Sequence, residues 1–452
     1  MEIIIVGCGK VGRTLALQLQ QEDTDLTIID ENPQKLALIA NQVDSLNIEG
    51  NGASIRTLKE AGIETADLLI AVTGSDELNL LCCLIAQQSP KCHTIARVRN
   101  PVYFRESSFI KERLGLTMII NPEYDAAKEI VRLFSIPTAL KMDSFSGGQV
   151  ELLKIKILPE YRMDGMLVGS IQERFHLDIL ICGIENKEGV TIPGGNKSIH
   201  DGDTVWFLAS QETTRRFFQK IGLKSAEIKS TMIVGGGMTA YYVASRLIER
   251  GKVSVKIIEK DKARSDELCE LLPEATIIQG DGTNRELLME EGLQSAGSFL
   301  TMTNLDEENI FLSLYAKSVS KAKTIAKVNR LEFNDIIENL EIGSVIYPKD
   351  LTADHILQYV RAMENSIGSN VETLFHIMDG KAEALEFLIR DNSRALGIPL
   401  SELKLKSNLL VGCIHREGKV IIPRGHDEIR MGDRVIIVTS HPGLRDISDI
   451  LE

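Results

Sequence analysis

The sequence predicts an α/β protein written as a tandem duplication: two Rossmann-like parallel-sheet domains, each followed by a small α+β domain. Three observations carry this. A glycine turn, Gly7-x-Gly9-x-x-Gly12, follows an apolar run and is answered in the second half by Gly235-Gly236-Gly237-Met238-Thr239-Ala240. Short β-rich runs alternate with helical ones after each turn, the pattern of a parallel sheet covered on both faces. The halves also keep register: Gly7 and Gly235 are 228 residues apart, Asp30 and Glu259 are 229 apart, and GNG at Gly50 to Gly52 precedes GDG at Gly280 to Gly282 by 230.

The offset of 230 then holds for Thr73 and Thr303, Asp76 and Asp306, Asn79 and Asn309, TIARV (Thr94 to Val98) and TIAKV (Thr324 to Val328), Pro193 and Pro423, and the dipeptides Gly202-Asp203 and Gly432-Asp433. An offset this steady is an internal repeat.

The elements follow in order. EIIIV reads as a strand and VGRTLALQLQQE as a helix. LTIID, ADLLIAV, TIARV and TMII continue the strands; PQKLALIANQ, ELNLLCCLIAQQ, SFIKERLG and PEYDAAKEIVRLF supply helices. From about Ser135 to Gly222 the grammar changes to short strands, VELLKIKIL, LDILICGIE, VTIPGG and DTVWFLAS, with short helices around Gly169 to Phe175 and Thr213 to Gln219. The second half repeats both parts. The expected domains are 1–135, 136–222, 230–365 and 366–452.

The chain of 452 residues is 43% hydrophobic and 25% charged, as soluble globular proteins are. No apolar run approaches the roughly 18 residues of a membrane span, and the apolar start lacks the basic leader of a signal peptide, so a cytoplasmic location is expected. A formal net charge of −13 argues against nucleic-acid binding, which needs a basic face. The seven cysteines contain no CxxC pair and the eight histidines no zinc-ligand or catalytic spacing, so neither disulfides nor metal are expected.

The first glycine turn stands where a dinucleotide fingerprint requires: after a strand, opening a helix, with an acid, Asp30, ending the next strand 18 residues after Gly12. The glycines permit a tight turn, close backbone approach to a pyrophosphate and close helix–strand packing. The helix N-terminus offers free N–H groups to phosphate. Asp30 accepts from ribose hydroxyls and repels a 2′-phosphate, which favours NAD(H) over NADP(H) and also allows adenosine nucleotides. In the second turn the final glycine is replaced by Ala240, and Glu259 supplies the acid.

Tyr124 and Lys128 have the spacing of a reductase pair. They follow a helix start at Asn121-Pro122-Glu123, lack a preceding serine, and have no counterpart in YPKDLTADHI of the second half. No catalytic residue is assigned.

With GxGxxG and its acid, GNG or GDG, AVTGSDELN and TIARV in each α/β half, the sequence resembles the RCK (KTN) domains that regulate potassium channels and transporters. Each half ends in a segment resembling the RCK-C (TrkA-C) domain, marked by IPGG…IHDGDTVWFL and IPRG…IRMGDRVIIV. The duplicated order covers essentially the whole chain and is that of the regulatory subunits of Trk-type potassium uptake systems.

The resemblance implies a protein that senses its nucleotide, NAD(H) or ATP and ADP, without reacting it, and passes motion to a TrkH/TrkG-type membrane subunit as a homo-oligomer, a tetramer. It assigns Gly7, Cys8, Gly9, Lys10, Val11 and Gly12 to the phosphates, Asp30 to the ribose, and Thr73 and Gly74 to the far side of the cleft. Asn51 belongs to the same set. Arg97 adds a cation or makes a structural ion pair, and Glu123 lies near the ligand or the lobe boundary. The second set is Gly235, Gly236, Gly237, Met238, Thr239, Glu259, Asp281, Thr303 and Asn304. Lys327 for Arg97 and Lys349 for Glu123 set the lobes apart. Two alternatives stay open: an NAD-dependent oxidoreductase, and a nucleotide-sensing regulator of another transporter.

Overall fold

The structure, a computed structural model, describes residues 1–452 apart from 23, 135, 137–138, 223–227, 252, 330–336, 338–339, 341, 366–370, 379 and 391–392. The expected start of the second small domain at 366 and much of the 223–229 connection lie outside the described residues.

The first lobe is a six-stranded parallel sheet of β1 (Glu2–Val6), β2 (Asp25–Asp30), β3 (Leu46–Glu49), β4 (Leu68–Ala71), β5 (His93–Arg97) and β6 (Met118–Ile120) in the order β3-β2-β1-β4-β5-β6. Ile3, Ile4 and Ile5 are all buried because helices cover both faces. The helices are α1 (Lys10–Leu19), α2 (Pro33–Ala40), α3 (Ile55–Glu60), α4 (Asp76–Ala86), α5 (Pro101–Arg105), α6 (Ser107–Arg113) and α7 (Pro122–Leu133). Asn32, Ser54, Ser75, Asn100 and Asn121 cap their helices with side-chain oxygens, whereas α1 starts at Gly9 without a side-chain cap. Its first N–H groups are thereby left for another acceptor.

A small antiparallel sheet follows, in the order β11-β10-β13-β8-β7, from β7 (Ala139–Phe145), β8 (Val150–Lys156), β10 (Leu180–Asn186), β11 (Gly189–Thr191) and β13 (Thr204–Ser210); β9 (Met166–Leu167) pairs with β12 (Ser198–Ile199). Helices α8 (Ile171–Phe175) and α9 (Gln211–Lys220) stand where short helices are expected.

The second lobe repeats the first, with β14 (Ser230–Val234), β15 (Ser254–Glu259), β16 (Thr276–Gln279), β17 (Ser298–Thr301), β18 (Lys323–Lys327) and β19 (Ser344–Ile346) in the order β16-β15-β14-β17-β18-β19. Its described helices are α10 (Met238–Glu249), α11 (Lys262–Leu271), α12 (Arg285–Glu290), α13 (Asp306–Val319) and α14 (Pro348–Asn365). The second small sheet, β20 (Val371–Ile377), β21 (Ala382–Leu388), β22 (Leu409–Arg416), β23 (Lys419–Ile421) and β24 (Arg434–Thr439), has the equivalent order β20-β21-β24-β22-β23. Some features are not repeated among the described residues: the β9–β12 pair is reduced to single bridges at Leu396–Ile429 and Pro399–Glu428, and α8 has no helical counterpart. Where α9 follows β13, the second half has a 3₁₀ turn at Ile447–Ile450, and Gly443 takes a left-handed φ of +77° where the first turn of a helix after β24 would stand.

The helix after the last strand of each lobe crosses to the other lobe. α7 lies on α10 and α14 lies on α1, so each is paired with the helix opened by the opposite glycine turn. Ala353, Ile356, Leu357 and Val360 of α14 recur at helical spacing and are buried in one core with Leu15 and Leu19 of α1 and Leu374, Leu385 and Phe387 of the second small sheet. Burial of such side chains stabilises by about 1.5–3 kcal/mol each. The first small sheet likewise shares a core with α7 and with Tyr241, Val243 and Ile257 of the second lobe. Arg361 of α14 donates to both carboxylate oxygens of Glu22 at 3.1 and 2.5 Å, and at the matching place Arg250 donates to the Val131 carbonyl at 3.2 Å.

The two small sheets pack face to face over Phe145, Leu152, Trp206, Leu208, Ile377, Met378, Cys413 and Ile436. Gly183 and Gly412 sit at matching irregularities of β10 and β22. A Cβ on Gly183 would lie 1.9 Å from Met378 Cε, and one on Gly412 2.5 Å from Leu208 Cδ1.

Candidate nucleotide site

Gly7 has φ +104°, a backbone that L side chains rarely adopt, and a Cβ there would lie 2.9 Å from the Thr73 nitrogen. A Cβ on Gly12 would fall 1.9 Å from the Gly7 carbonyl oxygen. The turn is thus pressed between the α1 backbone and the end of β4. In the second lobe Gly235 has φ +94° and the same 2.9 Å approach to the Thr303 nitrogen, while Ala240 is buried at the position of Gly12. Gly52 and Gly282 have a packing reason: a Cβ would meet Cγ1 of Val6 or Val234 at 2.1 and 2.2 Å.

Both acids hold their turns. The Asp30 carboxylate accepts from the Cys8 N–H at 2.7 Å and the Asn32 N–H at 2.8 Å, and Lys35 stands 3.6 Å away. Glu259 accepts from the Gly236 N–H at 2.5 Å and the Asp261 N–H at 2.8 Å. Each carboxylate oxygen keeps acceptor capacity for a further donor. Burial and then Asp30 push the Cys8 thiol above its ordinary range, so it is no thiolate nucleophile.

On the far side, the Thr73 N–H and hydroxyl donate to Asn79 Oδ1 at 2.8 and 2.7 Å, and Asn79 Nδ2 donates to the Arg97 carbonyl at 2.9 Å. Thr303, Asn309 and the Lys327 carbonyl repeat this at 3.0, 2.9 and 2.8 Å. Fully buried Asn79 and Asn309 therefore pin each threonine turn to the next strand. Gly74 accepts from Arg99 at its carbonyl. Asn51 donates to Glu31 at 2.8 Å; at the same place Asp281 pairs with Lys260 at 2.7 Å, which with Thr283 holds its carboxyl down at about 2.

Arg97 pairs with Glu123 at 2.8 Å, so the ion pair anticipated for Arg97 is present, at the lobe boundary. Burial lowers the guanidinium against the pull of Glu123; Arg97 Nε and Glu123 Oε2 are buried without hydrogen-bond partners. Lys327, only 7% exposed, donates to Asn304 Oδ1 at 3.3 Å, and burial brings its ammonium down to about 8. Lys349 donates to the Asn329 carbonyl.

Tyr124, one half of the reductase-like pair, packs between lobes. Its hydroxyl accepts from Arg246 at 2.6 Å, and that guanidinium lies 5.1 Å from the ring centroid. Among the described residues no group of three or more His, Cys, Asp or Glu side chains is placed to hold a metal ion, and no helix is long and apolar enough to cross a membrane.

Residues 3–122 and 231–348 match the TrkA-N domain family, and residues 384–452 match the TrkA-C domain family. Over 447 residues the chain is 32% identical to the Trk system potassium uptake protein TrkA of Haemophilus influenzae, covering 97% of this chain and 96% of that protein. The chain belongs to the TrkA family. It is also 30% identical over 446 residues to TrkA homolog 1 of Methanosarcina mazei, covering 97% of each. Among solved structures, the GsuK RCK domain superposes with a TM-score of 0.64 at 18% identity, covering 97% of this chain and 92% of that one. The GsuK channel bound to NAD gives 0.64 at 17% identity, covering 97% and 76%. These two similarities establish the shared fold. The first small sheet, outside the TrkA-C match, has the same strand order as the second.

What the sequence reading missed about the site of this TrkA-family chain is that each glycine turn has a neighbour from the other lobe. Tyr242 on α10 donates to the Arg99 carbonyl at 2.9 Å and accepts from Asn121 Nδ2 at 3.1 Å. Lys349 at the start of α14 is within electrostatic reach of Lys10 and Arg13 on α1. The substitution of Lys349 for Glu123 is visible in the sequence; which turn it faces is not.

Proposed function

We propose that the chain is the nucleotide-sensing regulatory subunit of a Trk-type potassium uptake system. It binds NAD(H), ATP or ADP at the glycine turns of its two lobes and acts on a TrkH/TrkG-like membrane subunit by conformational change, without chemistry on the nucleotide. In this reading the protein is cytoplasmic, held at the membrane face by its partner, and assembles as a homotetramer. Its units are 1–135, 136–222, 230–365 and 366–452.

The observation that carries the reading is the crossed pairing of α14 with α1 and of α7 with α10. A ligand that tightens one glycine turn acts on a helix that belongs to the other lobe and leads into a small domain. Ligand binding shifts such an equilibrium as far as its affinities for the two arrangements differ, typically about 1–3 kcal/mol per coupling. The full-length relatives named as potassium uptake proteins support the transport context. Potassium flux through a reconstituted TrkH/TrkG-type subunit, with and without this protein, is expected to change with NADH, ATP or ADP. Flux indifferent to every nucleotide would overturn the proposal.

A further inference from the structure

The two glycine turns differ in the charges brought to them across the lobe boundary. Lys10 opens α1 and Arg13 lies one turn on; the corresponding positions on α10 are Met238 and Tyr241. The residue brought to α1 by the crossing helix is Lys349, and its counterpart on α7 is Glu123. At the first turn these three positions are all cationic; at the second the one charged position is Glu123, paired with Arg97 at 2.8 Å, and Arg264 donates to the Gly236 carbonyl at 2.7 Å as Lys35 stands beside Asp30 in the first lobe.

The geometry behind this is the parallel run of each crossing helix beside its partner. Arg361, late in α14, reaches Glu22 just beyond α1, so Lys349 at the start of α14 lies toward the α1 N-terminus. Lys349 lies within electrostatic reach of Lys10 and Arg13 and of the acids Asp350 and Asp306, and Lys327 within reach of Glu123, Asp306 and Lys10. The lysines and Arg13 repel one another while Asp306, Asp350 and Glu123 attract them, and burial of Lys327 adds a solvation cost. The Lys327 ammonium, which has three donors, gives one to Asn304 at 3.3 Å. A bound phosphate would supply an acceptor and a counter-charge to such a set of cations.

We propose, building on the nucleotide-sensing reading, that Lys349 of the second lobe meets the phosphate-rich end of the nucleotide on the first turn, with Lys10 and Arg13. The first site then selects nucleoside di- and triphosphates, and the second, facing Glu123, selects ligands of lower negative charge such as NAD(H). Lys349 and Glu123 are specificity-determining residues contributed across the boundary.

The test is equilibrium binding of ATP, ADP, AMP and NADH to the full-length protein, with the second site weakened by Glu259→Ala so that the first is read alone. The expected affinity order at the first site is ATP, ADP, AMP. Lys349→Met is expected to weaken ATP about tenfold, as removal of one nearby charge does, with AMP changed less than twofold and Lys349→Arg restoring ATP. In the reciprocal Asp30→Ala background, Glu123→Lys is expected to raise ATP affinity at the second site, a gain that misfolding does not produce. Unchanged ATP affinity in both Lys349→Met and Glu123→Lys, with nucleotides still bound at both turns, overturns the assignment and leaves the sensing reading intact. Binding of no nucleotide by the wild-type protein overturns both.

Discussion

Asp125 on α7 and His355 on α14 face each other as an ion pair at 3.6 Å, where the two crossing helices meet. The two helices that carry the lobes' cross-contacts therefore also touch each other, and at that contact stands an acid against a base.

Asp125 raises the His355 imidazolium above its usual range, with Asp354 adding to this while burial and Lys128 oppose it. A raised histidine contributes stability that is fully present below its unfolded value of roughly 6.5 and is lost as pH climbs through the higher folded value. Hydrogen exchange in α7 and α14 is thus expected to quicken as pH rises from about 6 to 8, beyond the intrinsic rate increase. His355→Gln is expected to abolish that excess; an excess unchanged in the variant would exclude this pair as its source.

Gly7→Ala and Gly235→Ala each force a side chain into positive φ and against the backbone at Thr73 or Thr303. The local cost is about 1–2 kcal/mol for the conformation alone, before the overlap is relieved. Each variant is expected to lose nucleotide binding at its own lobe while the other lobe retains it, as read by calorimetric stoichiometry.

Asp30→Asn removes the charge that holds the Cys8 and Asn32 N–H groups. Charge-assisted bonds are worth roughly 1.5–3 kcal/mol, so about ten- to hundredfold weaker binding is expected at the first site, with the second unaffected. Glu259→Gln should produce the reverse. Equal losses at both sites from either variant would contradict independent turns.

Arg361→Met leaves Glu22 without its two hydrogen bonds, in a pair whose side chains are 10% and 12% exposed. Breaking a buried ion pair on one side costs about 3–5 kcal/mol. Chemical denaturation is expected to show that loss, with exchange protection falling first where α14 lies on α1.

Much of the architecture was legible because it is local or repeated. Strands such as EIIIV and LTIID carry their own patterning, and the offset of 230 makes each half a check on the other. The Asp30 and Glu259 positions follow from the same logic. Their grip on the backbone of the turn was not legible, since a carboxylate at a strand end serves ribose and N–H groups alike. The crossing of α7 and α14 escaped the sequence reading because PEYDAAKEIVRLF shows an apolar face and says nothing of which lobe covers it. Lys349 stood out only as a substitution, because the first-lobe cations within its electrostatic reach, Lys10 and Arg13, lie more than three hundred residues earlier in the chain. The missing counterpart of α9 coincides with the left-handed Gly443, and the steady offset of the repeat masked it.

The crossed helices also free the pairing of the lobes from dilution. Two separate subunits come apart as their concentration falls, so their state reports in part how much protein the cell has made. Lobes carried on one chain meet at an effective concentration set by the connecting segments. The arrangement of this pair can respond to solutes and acidity over a wide range of expression level.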